Sequence, residues 1–249
     1  DGRAELVIDL GEQAHLWDEF SPNLYALTLT LSSSLGRDQR ELRFGLRDLA
    51  TDGTRFTVNG RRVFMRGTLE CADFPLTGHP PMDEASWRRE FATVKAYGLN
   101  HLRFHSWCPP EAAFRVADEL GLYLQIEASS WANSGAQIGS GWPLDAWIED
   151  EAADIVRRYG NHPSFAFFAY GNEPAGPNHV KWLTNFVARW KARDPRRLYT
   201  TASAYPTVLG SDYHVNGTPR IQHWSAGLKS LINAQPPRSD YDWSDWVKK

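Results

Sequence analysis

The chain has 249 residues, 42% hydrophobic and 23% charged, and no apolar run long enough to span a bilayer. Its formal net charge is −3, from 27 basic and 30 acidic side chains, which offers no basic surface to nucleic acid or an anionic membrane. Two cysteines, Cys71 and Cys108, cannot form a disulfide framework and leave the compartment open.

Residues 1–48 read as strands. Leu6-Val7-Ile8 is a short apolar run. Tyr25, Leu27, Leu29 and Leu31 alternate with Ala26, Thr28 and Thr30, and Leu42, Phe44 and Leu46 alternate with Arg43 and Arg47, the period of half-buried strands. Ser21-Pro22-Asn23 is a turn signal. A two-sheet sandwich takes about 100 residues, so this stretch is expected to be the C-terminal end of an all-β domain that starts elsewhere. Phe56-Thr57-Val58 and Val63-Phe64-Met65 flank Asn59-Gly60, a hairpin signal because a type I′ turn needs positive φ at both central residues.

From there the pattern alternates between strand and helix. Expected strands are Val63 to Gly67, Asn100 to Phe104, Leu122 to Glu127, Phe165 to Asn172, Leu198 to Thr201 and Ser211 to Val215. Expected helices are Asp83 to Tyr97, Pro110 to Leu120, Leu144 to Tyr159 and Asn178 to Ala192, with Gly98 and Gly121 as C-terminal stops. Such alternation means a parallel sheet with helical crossovers. Polar residues at successive strand ends (Arg103, Glu127, Glu173) favour one active face, and no glycine-rich nucleotide fingerprint follows the first strand.

The fold class is therefore α/β: an incomplete (β/α)8 TIM barrel over 49–249, cut before its seventh strand, preceded by tail strands of a β-sandwich over 1–48. About 190 residues remain for a barrel that usually takes about 250, so the chain reads as truncated at both ends. An unclosed barrel leaves edge strands unpaired, so it is also expected to be poorly behaved alone.

The run Phe165-Ala166-Phe167-Phe168-Ala169-Tyr170 stops abruptly at Gly171-Asn172-Glu173. A carboxylate at the C-terminal end of a buried barrel strand sits where such barrels keep their chemistry. Paired carboxylates on that face suggest glycoside hydrolysis by a general acid and a nucleophile. Glu173 would protonate the leaving oxygen and Asn172 would hydrogen-bond the sugar 2-hydroxyl. Eleven tryptophans fit a core with several rings left to wall a sugar site. Further pocket candidates are Trp131, Tyr213, His214 and Trp224. The histidines form no zinc pattern, and no metal or other cofactor is expected.

Asn161-His162-Pro163-Ser164 followed by Tyr170-Gly171-Asn172-Glu173 resembles the acid/base signature of glycoside hydrolase family 2, the family of β-galactosidases, β-glucuronidases and β-mannosidases. Trp17 with Ser21 to Tyr25 resembles the late strands of that family's immunoglobulin-like domain. Phe44-Gly45-Leu46-Arg47, the Phe56 to Gly67 stretch, Gly98 to Arg103 and Asp118 to Glu127 resemble successive parts of its barrel. The resemblance implies a retaining exo-β-glycosidase with Glu173 as acid/base and Asn172 beside it. It makes Arg103 a support for the nucleophile, and Glu127 a group near the sugar that is a metal ligand in some relatives. A buried ion pair between Arg103 and Glu127 is the alternative reading.

Two motifs depart from the family pattern. The family's Ser-His-Tyr-Pro run is replaced by His105-Ser106-Trp107-Cys108-Pro109, so His105 or Trp107 takes the histidine's place. The first-strand histidine is missing near Leu69-Glu70-Cys71, so Glu70 and Asp73 become candidates to face the substrate. No Glu follows Glu173; the later acids Asp194, Asp212, Asp240, Asp242 and Asp245 read as surface or loop, which places the nucleophile beyond Lys249 and leaves this chain inactive alone. The expected partner is an oligosaccharide or glycoside, not nucleic acid or a membrane. The competing readings are a non-catalytic carbohydrate-binding barrel and a barrel glycosidase of another family.

Overall fold

The computed structural model describes residues 4–131, 137–203 and 208–215. Its first element is an antiparallel hairpin of β1 (Tyr25–Ser33) and β2 (Gly36–Phe44), with Tyr25 opposite Phe44 and Leu27 opposite Leu42. Leu6-Val7-Ile8, expected as a strand, is not one: the three side chains are solvent-exposed, and among the described residues no strand pairs with them. A β-favouring sequence needs a ladder partner to become a strand.

A second small sheet contains β3 (Leu49–Asp52), β4 (Arg55–Val58) and β5 (Arg61–Val63). Asn59 and Gly60 connect β4 to β5 with φ of 52° and 73°, the two positive values that a type I′ turn requires. Val63 belongs to this hairpin. The first strand of the main sheet is therefore β6 (Gly67–Glu70), which starts where the sequence reading ended it. Phe64, counted into an apolar run, is exposed.

The main sheet is parallel, in the order β10-β9-β8-β7-β6. It joins β6 to β7 (His101–Phe104), β8 (Tyr123–Glu127), β9 (Phe165–Asn172) and β10 (Leu198–Ser203). The crossovers are α1 (Glu84–Ala96), α2 (Glu111–Leu120), α3 (Pro143–Tyr159) and α4 (His179–Arg193). Asp83 caps α1 by accepting from Ser86 N at 2.8 Å. Gly121 ends α2 in the left-handed region, at φ 69°. The sixth strand expected over Ser211 to Val215 is not among the described strands; Asp212 is a bend whose N–H donates to Tyr199 O at 2.9 Å, and Val215 makes only an isolated bridge.

Alternation along each strand sorts the core into two layers. Leu102, Phe104, Leu124, Ile126, Phe168 and Tyr170 turn outward and pack with Trp87, Phe114, Phe186 and Trp190 of the helices. Tyr123, Phe167 and Leu198 turn inward and meet Trp17, Leu49 and Val58, which plug the floor of the curved sheet. Trp17 is fully buried, donates from Nε1 to Asp118 O at 2.8 Å, and meets Tyr123 edge to face.

Two charged groups fix how β9 starts. Asp118 accepts from Ser164 N at 3.0 Å and lies 2.6 Å from His162 Nδ1. Arg47 donates to the carbonyls of Pro163, Phe165 and Arg196 at 2.6, 2.7 and 2.9 Å. The Asn161 to Ser164 motif is thus an anchor beneath the sheet, at the end opposite Glu173.

Candidate active site

The C-terminal ends of β6 to β9 meet at one mouth. The non-glycine residues with positive φ among the described residues are Asn59, Ala72, Ser106 and Glu173, and the last three follow β6, β7 and β9. Strained backbone gathered at the ends of three parallel strands is typical of a functional rim.

His101 lies opposite Tyr123 and Arg103 opposite Gln125, so one inward row climbs from the apolar floor to polar side chains. Arg103 holds Glu127 with a two-pronged contact, Nε to Oε1 at 2.6 Å and Nη2 to Oε2 at 3.0 Å. Gln125 Nε2 also donates to Oε1, and the backbone N–H of Ser106 donates to Oε2, each at 2.8 Å. Glu127 is fully buried, and each of its oxygens accepts two hydrogen bonds. The carboxylate is saturated, and a cation could bind it only by displacing a donor. The alternative ion-pair reading of Arg103 and Glu127 describes their geometry.

The same guanidinium donates from Nη2 to Asn172 Oδ1 at 2.8 Å, joining β7, β8 and β9. Asn172 is buried, and its N–H donates to Ser130 O. Its neighbour Glu173 is half-buried and accepts from Trp131 Nε1 at 2.8 Å through Oε2. The Trp131 ring meets His105 edge to face at 4.6 Å, and His105 Nδ1 lies 3.0 Å from Ser106 Oγ. Arg103, His105, Glu127, Trp131, Asn172 and Glu173 are therefore brought into one contiguous rim.

Other candidates fall elsewhere. Trp107 stands in the outer layer, against Phe74, Trp87 and Phe104, with Nε1 on Glu70 O at 3.3 Å. Tyr213, expected to wall the sugar pocket, lies at the floor instead: its ring meets Phe56 and Phe167, and its hydroxyl donates to Gln125 Oε1 at 3.0 Å. His214 is half-buried, and burial lowers its pKa. Trp224, Asp240, Asp242 and Asp245 lie outside the described residues.

Glu70, considered as a group that faces substrate, points the other way. It pairs in register with Phe104 while Leu69 pairs with Arg103, so Glu70 is on the helix side of the sheet. Its carboxylate turns back to Ala72 N at 3.0 Å, and burial raises its pKa. On α1, burial and then the charge of Glu70 push Glu90 up to about 7.

The later acids that the structure describes are at the foot of the sheet. Asp194, read as surface or loop, lies in the turn that ends α4 but is buried against Arg196 and Arg197, and Asp212 accepts from Tyr199 N at the start of β10. Gln125 and Ser106 were not legible as site residues. The one available signal was Gln125 itself, an amide inside an apolar strand, which must find hydrogen-bond partners.

Residues 49–229 match the family model described as glycosyl hydrolases family 2, TIM barrel domain. The chain is 28% identical over 204 residues to the beta-galactosidase 2 of Enterobacter cloacae, covering 79% of this chain and 19% of that protein. It is 28% identical over 201 residues to a beta-glucuronidase of Paenibacillus borealis, covering 76% of this chain and 34% of that one. The crystal structure of the Parabacteroides merdae beta-glucuronidase aligns with a TM-score of 0.65 at 26% identity, over 75% of this chain and 24% of that chain. The chain spans 18% to 34% of the length of such curated relatives.

Proposed function

The chain belongs to glycosyl hydrolases family 2, and on that premise we propose that it carries the acid/base half of a retaining exo-β-glycosidase acting on terminal β-linked sugars. Relatives named beta-galactosidase and beta-glucuronidase support a β-glycoside as the substrate class. The observation that carries the reading is the placement of Glu173 directly after β9, with Trp131 Nε1 on one carboxyl oxygen and Asn172 turned into the same mouth.

In this reading Glu173 gives its proton to the departing glycosidic oxygen and later takes one from the attacking water. Asn172, its Oδ1 occupied by Arg103, offers its NH2 end to the sugar 2-hydroxyl. His105 and Trp131 line the lip. The nucleophile is a second carboxylate about 5–5.5 Å from the first. Among the described later acids, Asp194 and Asp212 stand at the foot of the sheet, away from Glu173, and neither is assigned that role. Residues 1–48 are assigned to the end of an immunoglobulin-like sandwich and 49–249 to the barrel; the amphipathic β1–β2 hairpin supports that division.

The test uses the full-length gene product, with and without Glu173→Gln, on β-galactosides and β-glucuronides with poor and activated leaving groups. Loss of the acid should slow poor leaving groups by about 10²–10⁴-fold and spare activated ones. Equal rates on poor leaving groups would refute the assignment.

A further inference from the structure

Below the rim runs a chain of hydrogen bonds whose polarity has one solution. Glu127 only accepts and Arg103 only donates. Gln125, facing Glu127 Oε1 at 2.8 Å, must present its NH2, which turns its own Oε1 toward Tyr213. Tyr213 must then donate, and its hydroxyl lies 3.0 Å away. Burial raises the Tyr213 pKa well above the ordinary tyrosine value, so the hydroxyl keeps the proton it donates. From Glu127 the chain passes through Arg103 to Asn172 Oδ1. Gln125, Glu127 and Asn172 are almost entirely buried, so water does not compete for these partners.

Resting on the functional reading above, we infer that Gln125 and Tyr213 are positioning residues that fix the orientation of the Asn172 amide, and so its contact with the sugar 2-hydroxyl. Neither touches substrate. Tyr213 is held by aromatic contacts with Phe56 and Phe167, so its hydroxyl is a fixed point at the floor. Gln125 transmits that point to Glu127, which aligns the guanidinium plane, and the guanidinium sets which end of Asn172 faces the mouth. An Asn172 amide turned end for end would present Oδ1 to the mouth, and the sugar hydroxyl would then have to donate where it otherwise accepts.

The experiment follows the side-chain amide signal of Asn172 in ¹⁵N-labelled protein, assigned by its disappearance in Asn172→Asp. Tyr213→Phe removes one oxygen and keeps the ring; Gln125→Leu removes both links. Each should move the Asn172 signal. Phe56→Leu, which loosens the same ring without touching a hydrogen bond, should leave it in place and so controls for packing alone. An unmoved signal in Tyr213→Phe, or an equal movement in Phe56→Leu, overturns the inference. Titration with methyl β-D-galactopyranoside and its 2-deoxy analogue adds the specificity readout. The two positioning variants should lose about fivefold in affinity for the first sugar and little for the second. If the amide signal moves as expected but the unsubstituted protein binds both sugars equally, the positioning chain stands and the proposed role of Asn172 falls.

Discussion

Tyr170 and Asn172 are two residues apart on β9, yet their side chains leave the strand on opposite faces. Tyr170 packs outward against Trp182, and Asn172 turns inward to Arg103. Regular alternation would put both on one face. Gly171 between them reverses the order, with φ of 153° and the Ser130 carbonyl oxygen 2.1 Å from where a Cβ would stand. Gly171→Ala should therefore cost at least about 2 kcal/mol, because the obstacle is backbone and cannot swing aside. Gly53→Ala is the control: its φ is also positive, but the space around it is open. It should cost about 1–2 kcal/mol, the conformational penalty alone. Urea denaturation of the two variants checks the difference.

Removing one partner of the Arg103–Glu127 pair should be worse than removing both. Arg103→Met leaves a fully buried carboxylate with only Gln125 and Ser106 N as donors, an expected loss of about 3–5 kcal/mol. Adding Glu127→Leu removes the stranded charge and should recover part of that loss. A double-mutant cycle by chemical denaturation measures the coupling, and additive losses would show that the pair does not act as a unit.

His101 gives the fold a pH dependence in the mildly acidic range. Burial, opposed by its hydrogen bond to Tyr123 O and aided by Arg103, lowers its pKa to about 4. An unfolded histidine titrates near 6.5. The folded value is the lower one, so the contribution is fully present above about pH 6.5 and is lost as pH falls toward 4. It should amount to about 1–3 kcal/mol. Stability measured from pH 7 to 4 should fall with that profile, and His101→Gln should flatten it.

Much of the scaffold was legible because its signals are local. The Asn59-Gly60 turn and the Gly121 stop each depend on a few neighbouring residues, and each stands where the sequence put it. Errors came where a partner decides the outcome. Leu6-Val7-Ile8 has strand chemistry without a described strand beside it, and Val63 was assigned to the barrel because a run of apolar residues does not show where one sheet ends and the next begins. At the rim, chain order exposed Arg103, Glu127, Asn172 and Glu173 as strand ends. It could not show that Tyr213 turns to the floor or that Glu70 turns to the helices, since the face each presents is set by register and by packing across the sheet.

Asp194 shows the same lesson in its energetics, since a helix-end Asp-Pro reads as surface but is buried. Its Oδ2 accepts from Arg196 Nη2 at 2.8 Å and from Arg197 Nη2 at 3.0 Å. Arg197 is itself buried, stacked over the Phe165 ring at 4.1 Å, and its Nε and Nη1 find no hydrogen-bond partner among the described residues. Asp194 is thus the carboxylate that balances an interior cation, and Asp194→Asn should cost about 3–5 kcal/mol. Burial raises the Asp194 pKa, but the hydrogen bonds and charges of Arg196 and Arg197 outweigh it and leave the pKa below the ordinary carboxylate value. A depressed folded pKa means that the stabilisation is complete above the unfolded value near 3.9 and is lost as pH falls below it. This acid loss lies below the window of His101. Denaturation curves at about pH 7, 4 and 2 should separate the two declines, and only the one below about pH 4 should disappear in Asp194→Asn.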